Sequence, residues 1–322
     1  MVKIGLIGLG HLGKIHLRIL KGLPQYFDIV GVFDASPEVC AQVASEYGVM
    51  GFSSADTLIE KSEAIDIVTP TLHHFELAVK AIDAGKHVFI EKPITETLSE
   101  SSKLLDLLQS KSLVNQVGHV ERFNPAFVAA APYLLAPAFI ETHRLAQFNP
   151  RGTDVPVVLD LMIHDIDIIL HVVKSPLKTI NASGVAVVSN GHDITNARLA
   201  FENGTVANLT ASRISMKNMR KSRFFQKDAY VGVDFLNKSI EVVRLEELSG
   251  VPDPYDFVLD LGEGKQSKKL SIENPKIYPT NAIEEELKEF AEAIQKGKTV
   301  SVDFAAGHLA LDVAYKIMDK LT

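Results

Sequence analysis

Tryptophan is absent from this chain of 322 residues, and cysteine occurs once, at Cys40. A single thiol excludes an internal disulfide framework and a cysteine-based zinc site, and it fits a reducing compartment. Cys40 falls in a helix-like stretch, where a thiol packs as a small apolar side chain. No uncharged apolar run reaches about 18 residues, so no membrane span is expected. Positive charge is not in excess either: 33 Lys and Arg against 40 Asp and Glu leave a net −7. That balance argues against general affinity for nucleic acid but leaves room for a local basic pocket. No charged-then-apolar signal segment precedes the strand-like run at 2–7. The expectation is a soluble, cytoplasmic protein.

What is present reads as globular. Hydrophobic residues make up 46% and charged residues 23% of the chain, and its length suggests about two domains. Over residues 1–121, short β-rich runs at 2–7, 28–33, 65–68, 87–90 and 113–117 alternate with helical patterns at 12–22, 37–47, 75–84 and 98–109. This alternation predicts βαβ units in a doubly wound parallel sheet, an α/β domain of Rossmann type. The texture changes after Asn124-Pro125. A helix-like apolar stretch at 157–173 is followed by alternating runs at 179–188, 197–201, 205–212, 229–235 and 239–245. Asn190-Gly191 and Asn203-Gly204 are hairpin signals between them. Helices are expected at 281–296, stopped by Gly297, and at 305–321. Residues 122–322 are therefore read as an α+β domain with a large, mostly antiparallel sheet.

Gly8-Leu9-Gly10-His11-Leu12-Gly13 stands between the first strand and the first helix. In that setting Gly8 permits the tight turn, Gly10 lets backbone approach a pyrophosphate, and Gly13 packs helix on strand. His11 and Leu12 open the helix whose N-terminus faces the phosphate charge. Asp34 ends the second strand, about 20 residues after Gly13. Its carboxylate suits the two adenosine ribose hydroxyls and would repel a 2′-phosphate, which favours NAD over NADP. A turn-forming Asp before Ala35-Ser36-Pro37 is the plainer alternative.

Later strand ends supply Thr69-Pro70 with His74, and then Glu91-Lys92-Pro93, where loops at the sheet's carboxyl edge are expected to border the nicotinamide of the cofactor. A lysine at a strand's C-terminal end, held by a proline, can aim its ammonium into the crevice where such sheets bind ligands. His73-His74 reads equally as a polar helix start. In the second half, Asp160, His164, Asp167 and His171 share one stripe of an otherwise apolar helix. Buried ionisable groups need partners or a wet cavity, so the stripe faces either an active site or a polar seam between domains. Metal binding is a third reading; no further His/Cys pair of ligand spacing supports it, and none is expected. Arg213, Lys217, Arg220, Lys221, Arg223 and Lys227 form a basic run with no acid between Glu202 and Asp228. Such a run is a solvated face or a diphosphate site.

Taken in order, Gly8–Gly13, Thr69-Pro70 with His74, Gly85-Lys86-His87 leading into Glu91-Lys92-Pro93, and Asp160-x-x-x-His164 resemble the glucose–fructose oxidoreductase, inositol dehydrogenase and rhizopine-catabolism (Gfo/Idh/MocA) family. The resemblance spans essentially the whole chain. It implies a dinucleotide-binding domain and a substrate domain whose open sheet builds a homodimer or homotetramer. It also implies a Lys92–Pro93 bond that is often cis, and hydride exchange between NAD and a ring carbinol of a sugar or cyclitol. Lys92, Asp160 and His164 occupy the family's catalytic positions. His119, Arg122 and Asn124, in Val117–Pro125, together with the basic run, resemble the family's nucleotide-sugar branch. That branch implies a UDP-N-acetylglucosamine substrate, a 3-keto product and a partner aminotransferase, with His119, Arg122 and Asn124 near the substrate or nicotinamide and Arg213, Lys217 and Arg220 at the diphosphate. His164 is then the expected base, oriented by Asp160, and Lys92 the donor to the reacting oxygen; Lys92 as base is the alternative. An inositol or simple-sugar dehydrogenase is the neighbouring reading. A non-catalytic, NAD-responsive binding protein is the reading from another class.

Overall fold

The structure is a computed structural model that describes residues 1–149, 155–248, 253, 257–263 and 265–321. Its contacts divide the chain into two compact units, Met1–Phe123 with Thr280–Asp312, and Asn124–Pro279 with Val313–Thr322.

The first unit is a five-stranded, all-parallel sheet of order β2-β1-β3-β4-β5. Its elements are β1 (Val2–Ile7), α1 (His11–Gly22), β2 (Phe27–Phe33), α2 (Pro37–Tyr47), α3 (Ala55–Lys61), β3 (Ala64–Ile67), α4 (His74–Asp83), β4 (His87–Glu91), α5 (Leu98–Leu108) and β5 (Asn115–Gly118). All four residues of β3 are buried, as befits a strand covered on both faces. Helix starts follow local chemistry: Ser36 caps α2 with Pro37 in its first turn, and Thr97 and Glu100 form a reciprocal capping box on α5. The short α3, capped by Ser54, escaped the sequence reading because two turns carry too little periodicity.

In the second unit come α6 (Pro125–Ala130), β6 (Pro137–Leu145), a π-turn (Val158–Met162), α7 (Ile163–Val173), β7 (Leu177–Val185), β8 (Ile194–Phe201), β9 (Val206–Ser212), β10 (Met219–Gln226), β11 (Ala229–Asp234), β12 (Ser239–Glu247), β13 (Phe257–Leu259) and β14 (Lys268–Glu273). Nine strands pair in the order β13-β14-β12-β11-β10-β6-β9-β8-β7. Among the described residues only β6 and β9 run parallel; the other pairs are antiparallel. The β7–β8 loop is locked by Asp193, whose Oδ2 accepts from the amides of Val187, Val188 and Ser189 at 2.8, 2.7 and 3.0 Å.

The sequence reading draws one boundary, at 121/122, whereas the chain returns to the first unit near its end. The cause is α8 (Ala282–Lys296), which presents Leu287, Phe290 and Ala291 to a core containing Val2, Ile4, Leu20, Phe27 and Phe89. Positions 283, 287, 290, 291 and 294 make the apolar stripe that drives this docking. Asn281 caps the helix and Gly297 ends it at φ +63°, where an L side chain is strained. The last helix is α9 (Phe304–Met318). No described helix is long and apolar enough to cross a membrane.

Candidate active site

A crevice of about 880 Å³ opens at the carboxyl edge of the parallel sheet. Gly8, Gly10, His11, Leu12, Asp34, Thr69, Pro70, Glu91 and Lys92 all line it. The three glycines of the turn differ in what they meet. Gly8 has φ +96°, and a Cβ there would sit 2.7 Å from the Val68 carbonyl carbon. A Cβ on Gly13 would meet the Gly8 carbonyl oxygen at 1.9 Å, so helix and turn close on each other only without a side chain. A Cβ on Gly10 would meet nothing within 4 Å. Gly10 therefore leaves open space beside a helix start that has no side-chain cap, which is a cradle for phosphate.

Asp34 is tied at both oxygens: Oδ2 accepts from the Leu9 amide at 2.8 Å and Oδ1 from the Ser36 amide at 2.9 Å. The carboxylate thus bridges turn and strand end while lining the crevice, and each oxygen keeps a lone pair for a hydroxyl. Thr69 Oγ1 is buried on the same wall with no partner in the protein. An orphaned hydroxyl in such a crevice calls for a ligand or a water.

His74 takes a different place from the expected one. It is 1% exposed, with Nδ1 2.9 Å from the Pro93 carbonyl and Nε2 2.9 Å from the Thr69 carbonyl. Burial holds its pKa below the usual histidine value, against the pull of those carbonyls. The neutral ring donates to one of them and braces the two strand-end loops from behind. His73 lines the crevice in its stead. The Lys92–Pro93 peptide is cis.

Behind Lys92 lies a group that sequence reasoning missed. His16 of α1 is fully buried between Asp66 of β3 and Glu91 of β4, with Glu286 of α8 beside it. The signal was faint: a histidine on the apolar face of a short helix reads as packing.

In the second unit the predicted stripe is interrupted. Asp160 lies in the π-turn and His164 in the first turn of α7, both half-buried. Asp167 is 1% exposed, and His171 packs edge-on against Phe127 at 6.1 Å between centroids. The wider turn is a frequent mark of functional helices. Asp165, off the stripe, is the residue that anchors the segment: Arg144 of β6 donates from Nε to Oδ2 at 3.0 Å and from Nη2 to Oδ1 at 2.9 Å. Both side chains are nearly excluded from solvent. Among the three expected catalytic residues, Lys92 belongs to the first unit and Asp160 with His164 to the second.

The basic run does not form one cluster. Arg213 is buried at the end of β9 and donates to the Val155 carbonyl, while Lys217 and Arg220 are exposed. Lys221 and Arg223 pair with Asp234 at 3.1 Å and Glu141 at 2.9 Å on flanking strands. The absence of acids in the sequence segment hid acids that the sheet supplies. Of the remaining expected substrate contacts, His119 is buried and Arg122 donates to the Ser301 carbonyl at 3.3 Å. Asn124 caps α6, accepting from the Ala126 amide at 3.1 Å and donating to the Phe235 carbonyl at 3.0 Å. Its side chain is engaged in the fold.

Comparison with known proteins gives a consistent picture. Residues 2–119 match the profile of an oxidoreductase family with an NAD-binding Rossmann fold, and residues 139–226 match the C-terminal domain of the same family, Gfo/Idh/MocA. The chain is 35% identical to UDP-N-acetylglucosamine 3-dehydrogenase of Acidithiobacillus ferrooxidans over 98% of its own length and 96% of that protein's. The solved structure of that dehydrogenase superposes with TM-score 0.88 at 33% identity, covering 99% of this chain and 97% of that one. The scyllo-inositol 2-dehydrogenase (NAD(+)) of Bacillus subtilis is 28% identical over 66% of this chain and 68% of that protein. Levoglucosan dehydrogenase in complex with NADH and levoglucosan shares the fold, with TM-score 0.83 at 21% identity over 99% of this chain and 96% of that one.

Proposed function

The chain belongs to the Gfo/Idh/MocA oxidoreductase family, and on that premise we propose that it is an NAD-dependent dehydrogenase of a nucleotide sugar, acting on the C3 hydroxyl of UDP-N-acetylglucosamine. One observation carries the choice of substrate. Similarity to the UDP-N-acetylglucosamine 3-dehydrogenase runs over 98% of this chain, whereas the inositol enzyme is similar over 66%.

The first unit's residues fit the cofactor. The open position at Gly10, the α1 start and the orphaned Thr69 hydroxyl would receive its phosphates and polar edges, and Asp34 its ribose hydroxyls. When bound, NAD supplies the hydride acceptor. The chain's own residues manage the proton and the developing charge. His164 takes the hydroxyl proton, since an imidazole titrates near working pH. Asp160 orients that ring. Lys92 donates a hydrogen bond to the reacting oxygen, where negative charge grows as the proton leaves. Lys92 as the base is the second assignment, and it requires a strongly depressed lysine pKa. The diphosphate falls to Arg213, Lys217 and Arg220. Assembly through the nine-stranded sheet as a dimer or tetramer, a cytoplasmic setting and hand-over of the 3-keto product to an aminotransferase belong to the same proposal.

The test is NADH formation from NAD and UDP-N-acetylglucosamine by the purified protein, with a carbonyl trap to draw the reaction forward. Lys92→Ala should lower kcat/KM about 1000-fold, equivalent to about 4 kcal/mol of transition-state stabilisation, with NAD still bound. Turnover of inositol but not of the nucleotide sugar would replace the substrate; undiminished turnover in Lys92→Ala would remove the mechanism.

A further inference from the structure

Three carboxyl groups and one imidazole share a buried pocket behind Lys92. His16 Nδ1 lies 2.9 Å from Asp66 Oδ2, and Nε2 lies 3.1 Å from Glu91 Oε1. Flanked by two ionised carboxylates, which only accept, both ring nitrogens would donate and the ring would be an imidazolium. Glu91 passes the constraint on: its Oε2 accepts from the Lys92 amide at 3.2 Å. Its carboxyl group occupies space that Gly118 of the neighbouring strand leaves open, where a Cβ would lie 2.8 Å from the Glu91 carboxyl carbon. Glu286 is 0% exposed, neither of its oxygens has a hydrogen-bond partner, and its carboxyl lies within 4.8 Å of the His16 and Glu91 ligating atoms. A third anion here would face two carboxylates across a medium that screens poorly, at a desolvation cost no contact offsets.

We propose that His16, Asp66, Glu91 and Glu286 form one buried proton-holding clamp, an imidazolium between two carboxylates with a neutral acid beside them, that fixes Glu91 and through it the position of Lys92. The electrostatics agree. Burial, then the Glu91 charge, holds the Glu286 pKa well above the ordinary carboxyl value, with Asp66 and Glu289 adding to it. Burial alone would lower the His16 pKa, but Asp66 and Glu91 raise it well above the usual histidine value. His16, Asp66, Glu91 and Glu286 come from four separate elements, and Gln116 of β5 holds α8 in place by donating to the Glu286 carbonyl at 3.0 Å. A divalent cation on His16, Glu91 and Glu286 is the competing occupant. The 3.1 Å contact from Nε2 to Glu91 speaks for a proton, because a protonated nitrogen has no lone pair to give a metal.

Infrared spectra of the purified protein near neutral pH should contain the carbonyl band of an un-ionised carboxylic acid, lost in Glu286→Gln. Absence of that band, or one equivalent of divalent metal surviving chelation in the wild type, overturns the clamp. The kinetic arm rests on the proposed dehydrogenase activity. Glu286→Gln, which reproduces a neutral acid, should keep most of kcat. His16→Gln should lower kcat about 100-fold, the order of loss that a misplacement of about 1 Å produces, while NAD affinity stays within about threefold. Should His16→Gln fail to fold, Gly118→Ala serves: it displaces the Glu91 carboxylate and should lower kcat while the infrared band remains. Parallel losses of kcat and NAD affinity in these variants mean a merely structural cluster. If no nucleotide sugar is turned over, the dehydrogenase reading fails by itself, and the infrared and metal results still decide the clamp.

Discussion

Beneath α7, Arg144 and Asp165 close on each other two for two, at 3.0 and 2.9 Å, and one positive charge meets one negative. Behind Lys92, one imidazole faces three carboxyl groups, and two oxygens of Glu286 have no partner in the protein. Each cluster lies next to residues with proposed catalytic roles, and each is nearly sealed from solvent. The difference shows two ways to keep ionisable groups inside a protein. A guanidinium cannot release its proton, so the first pair is a permanent brace. Carboxyls and imidazoles can trade protons, so the second cluster settles its charge by protonation and responds to pH.

The sharpest way to break that contrast is to remove one partner of the balanced pair. Arg144→Met removes both bidentate donors from the buried Asp165 carboxylate, and should destabilise the protein by about 3–5 kcal/mol in denaturant unfolding. Adding Asp165→Leu should recover much of the loss, because two apolar groups bury without a charge. A single-variant loss within about 0.5 kcal/mol would mean the pair is not a brace.

The next effect is in the pH dependence of stability. Glu286 holds a proton in the fold that the unfolded chain releases once pH passes the ordinary carboxyl range. Its folded pKa is raised, so its contribution is full below that range and erodes as pH climbs toward the folded value. His16, also raised, contributes fully below the usual histidine pKa and loses its contribution as pH rises through its folded value. Asp193 in the second unit runs the other way. Burial would raise its pKa, but the Ser189 hydroxyl and three backbone amides hold it far below the usual carboxylate range. Its contribution is present above that range and lost as pH falls. Stability should therefore decline on the alkaline side with a slope of up to about 1.4 kcal/mol per pH unit for each retained proton, and Glu286→Gln should flatten that limb alone. An unchanged alkaline limb in the variant would show that Glu286 holds no proton in the fold.

The smallest expected effect tests how firmly α8 delivers Glu286. Asn281→Ala removes the side chain that accepts from the Ile283 amide at 3.1 Å and the Glu284 amide at 3.4 Å. A loss of about 1 kcal/mol in unfolding free energy is expected, with the infrared band of Glu286 intact. Loss of that band would mean the cluster depends on the helix end as well as on its packing.

Much of the cofactor half was legible in the chain. Gly8, Gly10 and Gly13 act within one turn, Asp34 stands where a strand must end, and the helix starts at Ser36 and Thr97 carry their own caps. The substrate half was legible as a class but not in its pairings. Strand β10 holds Arg220, Lys221 and Arg223 among Ser and Phe, and a reader of the sequence sees a solvated basic run; Glu141 and Asp234 enter only when β6 and β11 flank it. Nothing local in the sequence announces that the Asn124 amide donates to the Phe235 carbonyl.

By itself the sequence determined what depends on neighbours a few residues apart: the glycine turn, the strand ends that expose Lys92 and Asp34, the periods of helix and strand, and the family. Only the tertiary structure decided which charges meet and which protons stay. His16, Asp66, Glu91 and Glu286 lie far apart in the chain, His16 being 50 residues from Asp66 and 75 from Glu91. A carboxyl group's protonation depends on the water it has lost and the charges brought near it. Neither quantity exists until distant elements pack.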